Sequence, residues 1–294
     1  MIEMNHHDTA NEINRYLEKL SIDMQLHGYT VNTQRIYNRS VCRFLEFCNK
    51  PVATLGEADA RAFLLHLKQS GSVCTNSINT YHGGLRFFFA ITLNRTMNYL
   101  QMPRFKRTKA LPEILSRDEI NILLSTCSNL KHKAILMLAY GSGLRVSEIC
   151  SLKICDIDST SMRVFVRKGK GEKDRYTILS QECLYTLREY WKAHKPKHPE
   201  GWLFLGIRGM TRIVNDTARK VFEKCATKAG ITKNVSIHTL RHCFATHLLE
   251  DGVDIFVIKE LLGHASLNST TVYLHLANVS AGVTSPIDNI QNYG

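Results

Sequence analysis

The chain has 294 residues, 44% of them hydrophobic, and a formal net charge of +12 from 38 Lys+Arg against 26 Asp+Glu. That length suits two domains better than one, and the lack of any apolar run of about 18 residues excludes a membrane-spanning helix. The charge excess, with a pI near 9.3, favours a polyanionic partner, nucleic acid first.

The N-terminal stretch MIEMNHHDTANEINRYLEKL carries acidic residues and no apolar h-region, so it does not read as a secretory signal. The segment NTQRIYNRSVCRFLEFC has helical periodicity, with Ile36, Val41, Phe44 and Phe47 on its apolar side. Arg35, Arg39 and Arg43 recur every four residues as a basic stripe, and no acidic residue can pair with them until Glu46. Such a stripe is either solvated surface or a phosphate contact. LGEADARAFLLHLKQ supplies a further helix. TNSINTYHGGLRFFFAI, over about 75–91, supplies another, with Ile78, Tyr81, Leu85, Phe88 and Phe89 inward and Arg86 among them. Residues 10–100 therefore read as a bundle of about four helices.

Helical periodicity lapses in QMPRFKRTKALPE, which holds two prolines and the basic residues Arg104, Lys106, Arg107 and Lys109. Residues 101–112 are expected to be a basic linker, lying along a phosphate backbone or simply solvated. Residues 1–100 carry a net +2, the basic linker +4 and the second domain, 113–294, a net +6. It opens on Ser116 and Glu119 at capping-box spacing, which starts a helix. HKAILMLAYGSGLRVSEIC predicts an apolar helix, a Gly-Ser-Gly break and a new helix opening at Leu144-Arg145. MRVFVRKGKGEKDRYTILS alternates on both sides of a Gly/Lys turn and predicts a β-hairpin. Beyond about residue 182 the pattern is helical again. The expected fold is mainly α with a small antiparallel sheet.

Nine cysteines lie singly, without a Cys-x-x-Cys pair, as expected of reduced thiols in a cytoplasmic protein. The segment HTLRHCFATHLL raises a sharper question. On a helix, His238 and Arg241 share a face, and His238 and His242 have the i, i+4 spacing of paired zinc ligands. A zincin helix needs glutamate directly after the first histidine, where this chain has Thr239, although His247 or His264 could be offered as a third ligand. A buried histidine cluster is the second reading. An anion site is the third, because arginine presents a planar, permanently charged fork that matches phosphate oxygens. Arg145, directly after the Gly-Ser-Gly break at a helix start, supplies a second anion-binding group.

Taken together, these stretches resemble the tyrosine site-specific recombinases over nearly the whole chain. The resemblance rests on YGSGLRVSEICSL, KGKGEKDRYTIL, HTLRHCFATHLL and LLGHASLNSTTVYLH. It implies an N-terminal SAM-like core-binding domain and a C-terminal catalytic domain. The implied catalytic set is Arg145, Lys170, His238, Arg241, His264 and Tyr273, with Glu148 orienting Arg145 from behind. By this resemblance Tyr273 attacks a DNA phosphorus to give a 3′-phosphotyrosine, His238 is the base, His264 donates to the phosphate, and Lys170 protonates the departing 5′-oxygen. No metal, ATP or other cofactor is implied. The implied partners are double-stranded DNA bearing an inverted-repeat core and further copies of the chain, which form a tetramer through the C-terminal tail. The setting implied is a bacterial cytoplasm, associated with the nucleoid when DNA is bound.

No arm-binding domain of the phage-integrase kind is expected before the helical bundle. LPEILSRDEINILL is similar to Xer proteins, whereas YLHLANVSAGVTSPID is similar to integron and transposon-linked enzymes. A mobile-element recombinase is the first expectation and Xer-type dimer resolution the second. A type IB topoisomerase is more remote, because it needs no such tail. A DNA-binding module with a dead site fits poorly, since no catalytic position is missing. A metal-dependent hydrolase would betray itself by sensitivity to EDTA.

Overall fold

A computed structural model describes residues 6–98, 104–106, 112–167, 174–206 and 209–277. Lys170, Arg107, Lys109 and the C-terminal tail expected to mediate assembly fall outside the described residues. The chain divides into two compact units, residues 1–109 and 110–294. No helix among the described residues is long and apolar enough to cross a membrane.

The first unit contains α1 (His6–Leu26), α2 (Val31–Cys48), α3 (Glu57–Gln69) and α4 (Thr75–Phe87). Thr30 caps α2 by accepting from the Thr33 amide, and Asn49 ends the helix in the left-handed region. α2 and α4 approach closely at Gly83 and Gly84; a Cβ at Gly83 would lie 2.8 Å from the Tyr37 hydroxyl oxygen. Phe44, Phe63, Phe88 and Phe89 fill the centre, with Phe44 meeting Phe63 and Phe89 edge-on at 5.5 and 5.8 Å. The expected helix over 75–91 instead ends at Phe87 and runs into one π turn, Phe88–Thr92. Two residues assigned to the apolar side of α2 are also corrected. Ile36 and Phe47 are 40% and 43% exposed, and Phe47 lies at the rim against Phe63 and His66.

In the second unit α5 (Arg117–Thr126) begins with the capping box, Ser116 and Glu119 bonding each other's backbone N–H. α6 (Leu130–Gly141) is buried along most of its length. The next helix, α7, covers only Val146–Cys150, and Arg145 is its N-cap rather than part of its first turn. Three antiparallel strands follow in the order β1 (Ile157–Asp158), β2 (Arg163–Val166) and β3 (Arg175–Ile178). β2 and β3 are the arms of the expected hairpin; β1 was not foreseen. After α8 (Gln181–His194) two isolated bridges, Lys153 with Trp202 and Leu205 with Arg212, interrupt the helical pattern expected beyond 182. α9 (Asn215–Lys228), α10 (Ile237–Glu250) and α11 (Ile255–Leu262) complete the unit, with 3-10 turns at Leu267–Ser269 and Thr271–His275. α10 is the central element: Leu240, Cys243, Phe244 and Ala245 are buried along it, so polar residues on the same helix are held rigidly. All nine cysteines are free thiols.

Candidate active site

The second unit gathers Arg145, Glu148, Arg241, His264 and Tyr273 around the end of α10, with His238 on the exposed edge of that helix. Glu148, 7% exposed, is the hub. Its carboxylate accepts from Arg145 Nη1 at 2.7 Å, from the Arg145 backbone amide at 2.8 Å, and from Arg175 Nη1 and Nη2 at 2.9 and 2.8 Å. Arg241 Nη1 lies 3.9 Å away. At the start of α7 the protein's own Glu148 carboxylate accepts the Arg145 amide and aligns the guanidiniums around it. Burial alone would raise the Glu148 pKa, but the hydrogen bonds and charge of Arg175, followed by those of Arg145, hold it at about 2.

The last carbonyls of α11 organise the same arginines. Leu261 O accepts from Arg175 Nε at 2.9 Å, Leu262 O from Arg241 Nη2 at 2.7 Å, and Gly263 O from Arg145 Nη2 at 3.4 Å. A helix C-terminus carries partial negative charge, so three cations cluster there at reduced mutual cost. Arg241, 5% exposed, also donates to Gly143 O at 2.6 Å. Gly143 reaches that position with φ +60, and a Cβ there would run into the Phe244 ring; only glycine fits. Burial and then the neighbouring Arg145 pull the Arg241 pKa down to about 9, which leaves it charged at neutral pH.

Tyr273 sits on the 3-10 turn beyond α11 and is 2% exposed. Its hydroxyl is hydrogen-bonded to His242 Nδ1 at 3.1 Å, and its ring is nearly parallel to His264, with centroids 6.3 Å apart. Burial raises the phenol above its usual pKa range, and the charges of Arg241 and Arg145 oppose that rise. His264 Nδ1 is 2.9 Å from the buried hydroxyl of Thr270. Burial, then Arg241, Arg145 and Arg175, depress His264 to about 4, so its ring is neutral at pH 7. His238 keeps an open face to solvent. Partial burial of its ring, then Arg219, Arg241 and Arg145, push it below the usual imidazole range.

Two residues in this cluster were not assigned to it from the sequence. Arg175 shares a face of β3 with buried Thr177, whose hydroxyl docks on Ser142 O, and this alternation was the available signal. His242 figured only in the metal alternative. The phenol bonds to His242 and not to His238, the residue assigned as base. His247, offered as a third metal ligand, bonds instead to Tyr140. Among the described residues no three His, Cys, Asp or Glu side chains come together to hold a metal ion. In the first unit Arg35 and Arg39 are exposed on α2, whereas Arg43 is half-buried and donates to the Tyr81 hydroxyl. Arg86, Arg104 and Lys106 also reach the surface.

Residues 113–279 match the phage integrase family, and residues 9–99 match the phage integrase N-terminal SAM-like domain. The chain is 41% identical to a putative integrase/recombinase, y4qK, of Sinorhizobium fredii, over 92% of this chain and 88% of that one. It is 38% identical to the tyrosine recombinase XerA of Pyrococcus horikoshii, over 87% of each. A crystal structure of XerA recombinase aligns with 91% of this chain and 95% of its own, at 32% identity and TM-score 0.53. The XerH recombinase bound to its difH substrate shares the fold at TM-score 0.69, over 91% of this chain and 83% of that one, at 22% identity. With arginines, histidines and a tyrosine converging on one cluster, the chain belongs to the phage integrase family of tyrosine site-specific recombinases, enzymes that cut and rejoin DNA.

Proposed function

We propose that this recombinase acts through a covalent 3′-phosphotyrosine at Tyr273 and works on behalf of a mobile element. The observation that carries the chemistry is the Glu148 hub. It fixes Arg145 beside Arg241 while Tyr273 and His264 stack in the same cluster. A phosphodiester gathers negative charge as phosphorus becomes pentacoordinate. Guanidiniums fixed beforehand stabilise that state more than the ground state. Arg241 uses one hydrogen of each Nη on a backbone carbonyl, which leaves Nε and the remaining hydrogens for the non-bridging oxygens. If the Thr270 hydroxyl donates to His264 Nδ1, the neutral ring carries its proton on Nε2 and can donate it to the phosphate. His238, neutral at pH 7, has an acceptor nitrogen available. Lys170, by resemblance, protonates the 5′-oxygen as it leaves. The phosphotyrosine conserves the bond energy, so a different 5′-hydroxyl can reseal it without ATP or metal.

The proposed partner is duplex DNA with an inverted-repeat core, bound by several copies that form a tetramer through the C-terminal tail. Xer-type resolution of chromosome or plasmid dimers is a second reading, favoured by the XerA relatives. The reaction is tested on a core duplex isolated by binding selection from a random-sequence pool and nicked so that cleavage is trapped. In EDTA and without nucleotide, a denaturant-resistant protein–DNA complex and a free 5′-hydroxyl are expected. Loss of cleavage in EDTA would support a metal-dependent hydrolase instead.

The stripe on α2 makes a separate prediction. Arg35→Ala with Arg39→Ala removes two exposed cations without touching the core. The slope of log affinity against log salt should become shallower by about 2, at roughly 0.9 per lost phosphate contact. An unchanged slope would return the stripe to ordinary solvated surface. Arg43 is left in place because it also holds Tyr81.

A further inference from the structure

We infer that His242 is a further catalytic residue, the group that takes the proton from the Tyr273 hydroxyl as the phenol attacks DNA. The inference rests on the phosphotyrosine reading above and assigns a step within it. Its basis is geometric. His242 Nδ1 lies 3.1 Å from the Tyr273 oxygen, inside the range for direct proton transfer. Arg241 and Arg145 lie near enough to Tyr273 for their charges to act on its hydroxyl, so a phosphate held by these arginines would lie beside the atom that must attack it.

The protonation states agree with this direction of transfer. Burial raises Tyr273, so the phenol keeps its proton at neutral pH and attack requires an acceptor. Burial, then Arg241 and His238, lower His242 below the usual imidazole range, so the ring is neutral, and in the tautomer that carries its proton on Nε2 the Nδ1 lone pair accepts from the phenol. Around this pair stand Arg241 and His238 on α10, Arg145 at the start of α7, Arg175 on β3 and His264 beyond α11, with Glu148 behind the arginines. The anionic phosphate would offset the positive field and make the imidazolium easier to form.

A Tyr273 oxygen lone pair forms the O–P bond and the bond from phosphorus to the 5′-oxygen breaks. The phenolic proton passes to His242 Nδ1, and the departing 5′-oxygen takes a proton from its own acid. Before attack the phenol is a weaker acid than imidazolium. Once esterified its oxygen is hardly basic at all, and a base of intermediate strength is the effective one for such a change.

The experiment measures single-turnover cleavage of the nicked selected duplex, with DNA binding measured alongside. His242→Asn preserves a polar partner for the hydroxyl but cannot accept its proton. It should bind DNA as wild type does and cleave about 10²- to 10³-fold more slowly. Replacing Tyr273 in that variant with a fluorinated tyrosine that ionises near neutral pH should bring the rate back to within about tenfold of wild type. The same replacement in His238→Ala should give no comparable rescue. Near-normal cleavage by His242→Asn would overturn the inference, because a tether would then suffice. Failure of the fluorinated tyrosine to rescue His242→Asn, or rescue of His238→Ala instead, would overturn it too. None of these outcomes bears on whether Tyr273 is the nucleophile, which Tyr273→Phe tests separately.

Discussion

Tyr273→Phe will form no denaturant-resistant complex with DNA, while folding and site binding stay close to wild type. The substitution removes one oxygen. The ring it keeps packs with Phe244, Leu262 and Ala277 in a small cluster of its own, so no cavity is created. The lost hydrogen bond to His242 Nδ1 is of a kind that contributes about 0.5–1.5 kcal/mol, too little to unfold the domain. Chemistry is affected without limit, because phenylalanine offers phosphorus no nucleophile. Gel retardation and a denaturing gel of the same reactions separate the two effects. A covalent adduct formed by the Phe variant would move the nucleophile elsewhere.

Glu148→Gln is expected to have the second-largest effect, on stability and rate together. The carboxylate is buried and neutralises a cluster of arginines, and its pKa of about 2 lies well below the ordinary carboxylate value of 4.5. That difference corresponds to roughly 3 kcal/mol of stability, an order-of-magnitude figure. Since the folded-state pKa is the lower one, the contribution is complete above about pH 4.5 and is lost as pH falls toward 2. Glutamine removes the charge at every pH and leaves Arg145, Arg175 and Arg241 facing one another. Breaking a buried ion pair in this way costs about 3–5 kcal/mol, or on the order of 10 °C in Tm for a domain of this size. Below its lower Tm the variant should still cleave about 10²-fold more slowly, as when one preorganised donor is lost. Glu148→Asp keeps the charge but is too short to reach the Arg145 amide and Arg175 together, so it should fall between. Unchanged melting and cleavage in Glu148→Gln would show that the arginines are held by the α11 and Gly143 carbonyls without the carboxylate.

The parts of the molecule that were legible in the sequence are those set by local spacing. Ser116 and Glu119 announce α5 because both partners of the cap lie within one turn. The arms of the hairpin show in their alternation, and His238 and Arg241 share a helix face through i, i+3 geometry. The parts that were not legible depend on contacts distant along the chain. β1 is a strand only because Ile157 and Asp158 pair with Val164 and Arg163. Ile36 and Phe47 fit the apolar period of α2, yet they fall at the edges of the stripe, where packing covers them only in part. Arg145 lies outside α7 because Glu148 bends back to cap the helix, a side-chain choice that propensity does not report. The roles of Arg175 and His242 appear only when β3, α7, α10 and the turn at Tyr273 are brought together.

Mapping the covalent bond shows which residue carries the DNA strand during the reaction, and Tyr273 is the residue expected. The trapped complex from the nicked duplex is digested with protease and nuclease, and the nucleotide-bearing peptide is sequenced by mass spectrometry. A single modified peptide is expected, with Tyr273 esterified to a nucleotide 3′-phosphate. Attachment to any other residue, or through a 5′-phosphate, would contradict it.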